Sequence, residues 1–284
     1  MDDSAQNGSI NLSLLNLKVP DSVDNAAKNL TDKPTSNIGQ TLADAWFLVF
    51  GGISQEAEKR KLKYAYDLNE FKTVLENKIS SIPPEKRIDP DLQIVGPALE
   101  NAKYCVSQAE IREMFAKLIA ASMNSTVSDQ VHPIFADIVK QMSPRDASNL
   151  SVFSGDKEFP IAEYRVIFHN NNRNIGTNLP YVFLGNPKYQ DLERQSVSIS
   201  LLEKLGLIKI DFSMYVTSVD AYLPFEQTNE YEKLKKFCSG FDKCPEQPSI
   251  DESFDMLLCK RHPEIAKGVV KFTPLGVDFN NTCL

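Results

Sequence analysis

Residues 45–53, AWFLVFGGI, form the most apolar run in the chain, and polar residues close it on both sides: Asp44 precedes it, and Gln55 and Glu56 follow after one serine. The shortness of this run constrains the fold more than any other feature. A helix needs about 20 apolar residues to cross the hydrocarbon of a bilayer, so a run of this length does not span one alone. So many large apolar side chains are not left in water either, because their burial is the main favourable term in folding. Three readings stay open. The run packs into a core; or it presents a partner or oligomer face built from Trp46, Phe47, Val49 and Phe50; or residues 41–53 contact a membrane surface after a trigger.

Composition narrows the class. The chain has 284 residues, 42% hydrophobic and 24% charged, the balance of a globular protein able to bury a core without staples. Its net charge of −7 makes the whole chain a poor electrostatic match for nucleic acid. The cysteines, Cys105, Cys238, Cys244, Cys259 and Cys283, are odd in number and irregular in spacing. That usage points to reduced thiols in the cytoplasm rather than a disulfide framework. The first residues, MDDSAQNGSINLSLLNLKV, open with two acids and lack the basic start and apolar stretch of a secretory signal, so a cytoplasmic protein is expected.

Organisation follows from periodicity. Residues 1–37 are rich in Asn, Ser, Asp and Thr, carry Pro20 and Pro34, and read as a loosely ordered tail. Within them Ile10, Leu12 and Leu14 alternate as in a short strand or docking segment. From residue 38 the pattern turns helical. Tyr64, Leu68, Phe71, Leu75 and Ile79 make one stripe, and Pro83 and Pro84 stop that helix. Pro97 suits the first turn of the next helix. Ser107 and Glu110 fit a capping box ahead of the face Ile111, Met114, Phe115, Leu118, Ile119 and Ser122. Ile134, Phe135, Ile138, Val139 and Met142 turn inward on a shorter helix, and Ser143, Pro144 and Asp146 start another. Residues 38–145 therefore read as an all-helical domain.

After about residue 146 the texture changes. Residues 158–168 fit helix or strand equally, and 169–180 read as a polar loop. Residues 190–205 form a helix with Val197, Leu201, Leu202 and Leu205 toward a core, and Gly206 is its left-handed cap. Strands are expected from Leu207 to Ile210, over 213–219, and from about 267 to Phe272, with a final helix after Thr273 and Pro274. The order resembles a winged helix with an insertion at about 220–267. The expected fold is thus mainly α: a helical domain followed by a winged-helix-like α/β domain over 146–284.

No catalytic set stands out. The histidines are His132, His169 and His262, and His132 sits before Pro133 where a capping or surface role suffices. "LVFGGIS" lacks the Walker lysine and the Rossmann glycine spacing. The arginine–histidine spacing of many abortive-infection ribonucleases is not met: only Val166, Ile167 and Phe168 separate Arg165 from His169, and Arg261 adjoins His262. Cys238, Cys244, Cys259 and His262 make the one metal-like set, and if zinc binds there it is structural. Between residues 188 and 211, Lys188, Arg194, Lys204 and Lys209 are balanced by Asp191, Glu193, Glu203 and Asp211, which argues against a DNA-binding regulator.

Two long stretches, ADAWFLVFGGISQEAEKRKLKYAYDLNEFKTVLENKISSIPPE and IVGPALENAKYCVSQAEIREMFAKLIAASMNSTVSDQVHPIFADIVKQMSPRDA, resemble the abortive-infection alpha family of bacterial phage-defence proteins. Val95 to Leu99, Arg112 to Ala116 and Val131 to Pro133 carry the likeness most specifically. Gly52 departs from it, standing where a proline often follows the glycine. The resemblance implies a bacterial or prophage protein that aborts phage infection. It brings no catalytic residue. With no such set visible, the expected mode is contact with a protein partner or a second copy, with DNA or membrane contact as alternatives.

Overall fold

The apolar run becomes helix: α1 spans Ile38–Phe50, and α2 spans Glu58–Ser80. The computed structural model describes residues 38–50, 58–153, 157–168, 175–218, 220–240 and 261–284. The tail expected over 1–37, and Gly52, lie outside the described residues. On α2 the stripe faces inward as its period requires: Phe71, Leu75 and Ile79 are buried, with Tyr64 and Leu68 packed partly against the same core. Its C-terminal end passes through Pro83 into a short 3-10 turn over Pro84–Lys86.

Local caps decide the next starts. Helix α3 (Leu92–Ala102) begins at Asp91, whose carboxylate accepts the Gln93 N–H at 2.8 Å. The helix therefore starts well before Pro97, which lies in its interior on the exposed side rather than in a first turn. Helix α4 (Ala109–Ser122) has Gln108 at its N-cap with no side-chain bond, so the Ser107–Glu110 capping box does not form. Glu110 instead lies 3.6 Å from Lys188. Helices α5 (Phe135–Gln141) and α6 (Pro144–Leu150) follow, and the latter starts at Ser143 as expected, in a capping box: Ser143 and Asp146 each accept the other's backbone N–H. Ile134, expected inward, is 46% exposed, because α5 starts one residue later. His132 accepts the Ile134 N–H through Nδ1 at 3.3 Å, a local capping role.

The second half corrects the expected fold class. It holds a four-stranded antiparallel curled sheet, and the protein is mixed α/β rather than mainly α. Strands β1 (Phe159–Phe168) and β2 (Ile175–Val182) form a hairpin across the stretch read as a polar loop. Helix α7 (Leu192–Lys204) leads through Gly206, at φ +76, into β3 (Ile208–Asp211). Residues 213–218 form no strand. Instead come the short α8 (Leu223–Glu226), α9 (Asn229–Ser239), the long β4 (Arg261–Phe272) and α10 (Pro274–Cys283). Strand order is β2-β1-β4-β3, so β4 pairs with β1 along ten residues and with β3 on its other edge. A winged helix is not shown: the strand expected over 213–219 does not form over the described residues 213–218, and more than half of β4 lies in the stretch taken as an insertion. Val197, expected inward on α7, is 63% exposed.

Two apolar clusters hold the elements. The larger has α4 at its centre, with Ile111, Phe115, Leu118 and Ile119 fully buried, and gathers side chains from α1 to α6, one end of the sheet, α7 and α10. Helix α10 returns to the helical body, where Phe279 meets Phe135 edge-on at 5.1 Å. The smaller cluster lies on the other sheet face, where Tyr164, Val166, Leu192, Phe225 and Leu234 bring α7, α8 and α9 onto β1.

Candidate functional site

Helix α1 is fastened inward by the residues the sequence singles out. Phe50 is buried, and the Trp46 ring lies 4.6 Å from that of Phe50 and stacks at 5.6 Å on Phe71 of α2. Val49 packs partly against the same core. Leu48, between them on the outer side, is 85% exposed. The Phe47 side chain lies outside the described residues, as do residues 51–53.

The zinc set is described in part. Cys238 is buried in the last turn of α9, and burial pushes its thiol up. His262 is half-buried in β4, opposite Ile167 of β1. Arg261, its neighbour, lies over the rings of Phe168 and Phe237, on the face that carries α9. Strand alternation therefore sets His262 and Cys238 on opposite sides of the sheet. Cys244 and Cys259 lie outside the described residues, and among those described no three His, Cys, Asp or Glu side chains are grouped to hold a metal.

Strand pairing assembles a polar patch that linear spacing does not reveal. Along β1, Phe159 and Ile161 face the large core, and the same face continues with Glu163, Arg165 and Ile167. Their β4 partners are Ala266, Glu264 and His262. Arg165 donates to Glu163 at 2.6 Å and approaches Glu264 at 3.9 Å, while Thr177 of β2 donates to the other Glu163 oxygen. Burial pushes the Glu163 carboxyl up, but the hydrogen bonds from Arg165 and Thr177 outweigh it and leave the group below its ordinary range. Arg165 is raised, first by its bond to Glu163. Phe212 lies 5.9 Å over the guanidinium and stacks with Tyr181 at 6.5 Å. Tyr181 has φ 52, a strained value for an aromatic residue, next to an irregular stretch of the β1–β2 register. The only signal for this patch in the sequence was charge at alternate positions of a segment that fits helix or strand.

On the opposite sheet face a trough runs between the start of α7 and the flank of α9. It holds two clefts of about 320 and about 330 Å³, both lined in part by Glu230. Asn178, Leu179, Glu193, Lys233, Leu234 and Phe237 line the first. Leu184, Tyr189, Gln190, Leu192, Gln227 and Asn229 contribute to the second. No described helix is long and apolar enough to cross a membrane. A family model described as abortive infection alpha matches residues 63–283. No curated protein and no solved structure matches the chain.

Proposed function

The chain belongs to the abortive infection alpha family, whose description points to phage defence, and we propose that it aborts infection by contact with a protein partner rather than by breaking bonds. The observation that supports this reading is the state of the cluster of Glu163, Arg165 and Glu264. Acid–base catalysis is most effective with groups poised near the working pH. Glu163 is held below its ordinary range and Arg165 above its own, so each is moved further from neutrality. Two carboxylates flank the guanidinium, and Thr177 holds one of them, Glu163, in place. These charges brace a curled sheet, and they shape a surface rather than transfer protons.

The test is a plaque assay with and without the gene across a broad phage panel, with the double variant Glu163→Gln, Arg165→Gln alongside. Fewer plaques are expected with the gene, and equal protection from the double variant where circular dichroism shows it folded. Unchanged plaque numbers across the panel would remove the defence role. Protection lost by a folded double variant would make the sheet face the working site and overturn the bracing role given to these charges.

A further inference from the structure

We infer that Arg145 and Lys188, both set against the ring of Tyr189, bind a phosphate group, either free or carried by a small molecule. Arg145 lies in the first turn of α6, and Lys188 and Tyr189 lie in the connection from β2 to α7. The arginine carries the argument. Its guanidinium stands 4.4 Å from the Tyr189 ring centre, and its side chain makes no hydrogen bond or ion pair with any described residue. Asp146, the next residue, is turned to Ser143 and Ser198 instead. Nη1 of Arg145 is buried without an acceptor, while Nε and Nη2 stay open. A guanidinium cut off from water on one side is a charge whose solvation is incomplete, and an anion on its open side restores what was lost. Stacking on an aromatic ring uses the flat face of the group and leaves its N–H edge for an oxyanion. Nε and Nη2 form the side-on fork that meets two oxygens of a phosphate at once. Lys188 brings a second cation to 5.5 Å from the same ring, and a phosphate of nearly two negative charges answers both. The present partner of Lys188 is Glu110 at 3.6 Å, with both side chains about half-exposed. Such a surface pair is worth little, so the ammonium is free to turn to a stronger anion. Tyr189 also lines a cleft of about 330 Å³ with Asn186, Pro187 and Gln190, which leaves room beside the ring for the body of a small molecule. The site is separate from the sheet patch and independent of the contact reading.

Isothermal titration of the full chain with inorganic phosphate, at an ionic strength held constant with potassium chloride, tests the site, and AMP and glucose 6-phosphate are its further arms. Phosphate is expected to bind, and Arg145→Gln should weaken it by about tenfold or more, the size of a charge-assisted pair. The Arg145 side chain bonds nothing in the fold, so circular dichroism should show that variant folded. Glu110→Gln should tighten binding by about two- to threefold, because it frees Lys188 and removes a repelling carboxylate. A purely structural role for these residues would not move affinity in that direction. Tighter binding of AMP or glucose 6-phosphate than of phosphate, lost in Arg145→Gln, identifies a phosphorylated small molecule as the ligand. Equal or weaker binding of both identifies free phosphate. No binding of any of the three by the parent chain, equal affinity for a folded Arg145→Gln, or no tightening in Glu110→Gln would overturn the proposal.

Discussion

Glu163 and Gly276 show how much single residues decide. Glu163 keeps its charge because Arg165 and Thr177 bond to the ionised form. Its folded-state pKa lies below the ordinary value of 4.5, so its stabilisation is present above that value and is lost as pH falls through the depressed one. Glu163→Gln should therefore lose stability at neutral pH, and its deficit should shrink on acidification below about 4.5. Urea unfolding at both conditions measures it, and a deficit independent of pH would show that the charge is not the cause. Gly276 is set by space. A Cβ there would lie 1.9 Å from the Leu207 carbonyl oxygen, at the point where the Thr273 hydroxyl caps α10 by accepting the Gly276 N–H. Because that neighbour is backbone, Gly276→Ala should cost about 2–3 kcal/mol as overpacking does, read as a lower thermal midpoint. A midpoint within error of the parent would mean that α10 docks elsewhere.

At the scale of elements, α1 is one side anchor and one side open surface. Phe50 is 7% exposed and Leu48 is 85% exposed, two positions apart on one helix. Truncating the first removes buried contacts with the Trp46 ring. Phe50→Ala should cost about 3 kcal/mol, while Leu48→Ala should stay within about 0.5 kcal/mol. Chemical denaturation with amide exchange along α1 distinguishes them; equal effects would mean that α1 is not held by its aromatic side. The same helix shows why its role was ambiguous in one dimension. A run apolar all round suits a core, a partner or a lipid surface alike, and only the placement of Phe71 opposite Trp46 turns it inward.

Across the whole molecule, a buried amide network ties α6 to α7 and to the connection that follows β2. Asn149 of α6 donates to Gln195 and Ser198 of α7 at 2.9 and 2.8 Å, and accepts from Asn186 at 2.8 Å. Asn149 and Gln195 are wholly buried, and Ser198 donates on to Asp146, the partner of Ser143 in the α6 cap. Removing one amide strands the others away from water, so Asn149→Ala and Gln195→Ala should each cost about 2–3 kcal/mol. The double variant should fall short of their sum by about 1 kcal/mol, because one loss already breaks the shared bonds. Strict additivity in urea unfolding would show that the two amides act independently.

Local chemistry in the chain determined the helices, because their contacts join residues three or four apart. The Phe71, Leu75, Ile79 stripe, the Ser143–Asp146 cap and the left-handed Gly206 are read directly from neighbours in sequence. The family likeness was clearest in that helical half, while the family model matches residues 63–283. Where a better cap competed, as Asp91 did with the start suggested by Pro97, the starts shifted by some residues. The sheet and both candidate sites were decided only in three dimensions. Phe159 meets Val270, and Arg165 meets Glu264, across pairings with no local signature. Glu193 and Glu230 converge because α7 and α9 settle on one sheet face, over the cluster that holds Leu192 and Leu234. Strand pairing is chosen by which distant segment fills the adjacent edge and buries the matching face, and that choice is made by the folded whole.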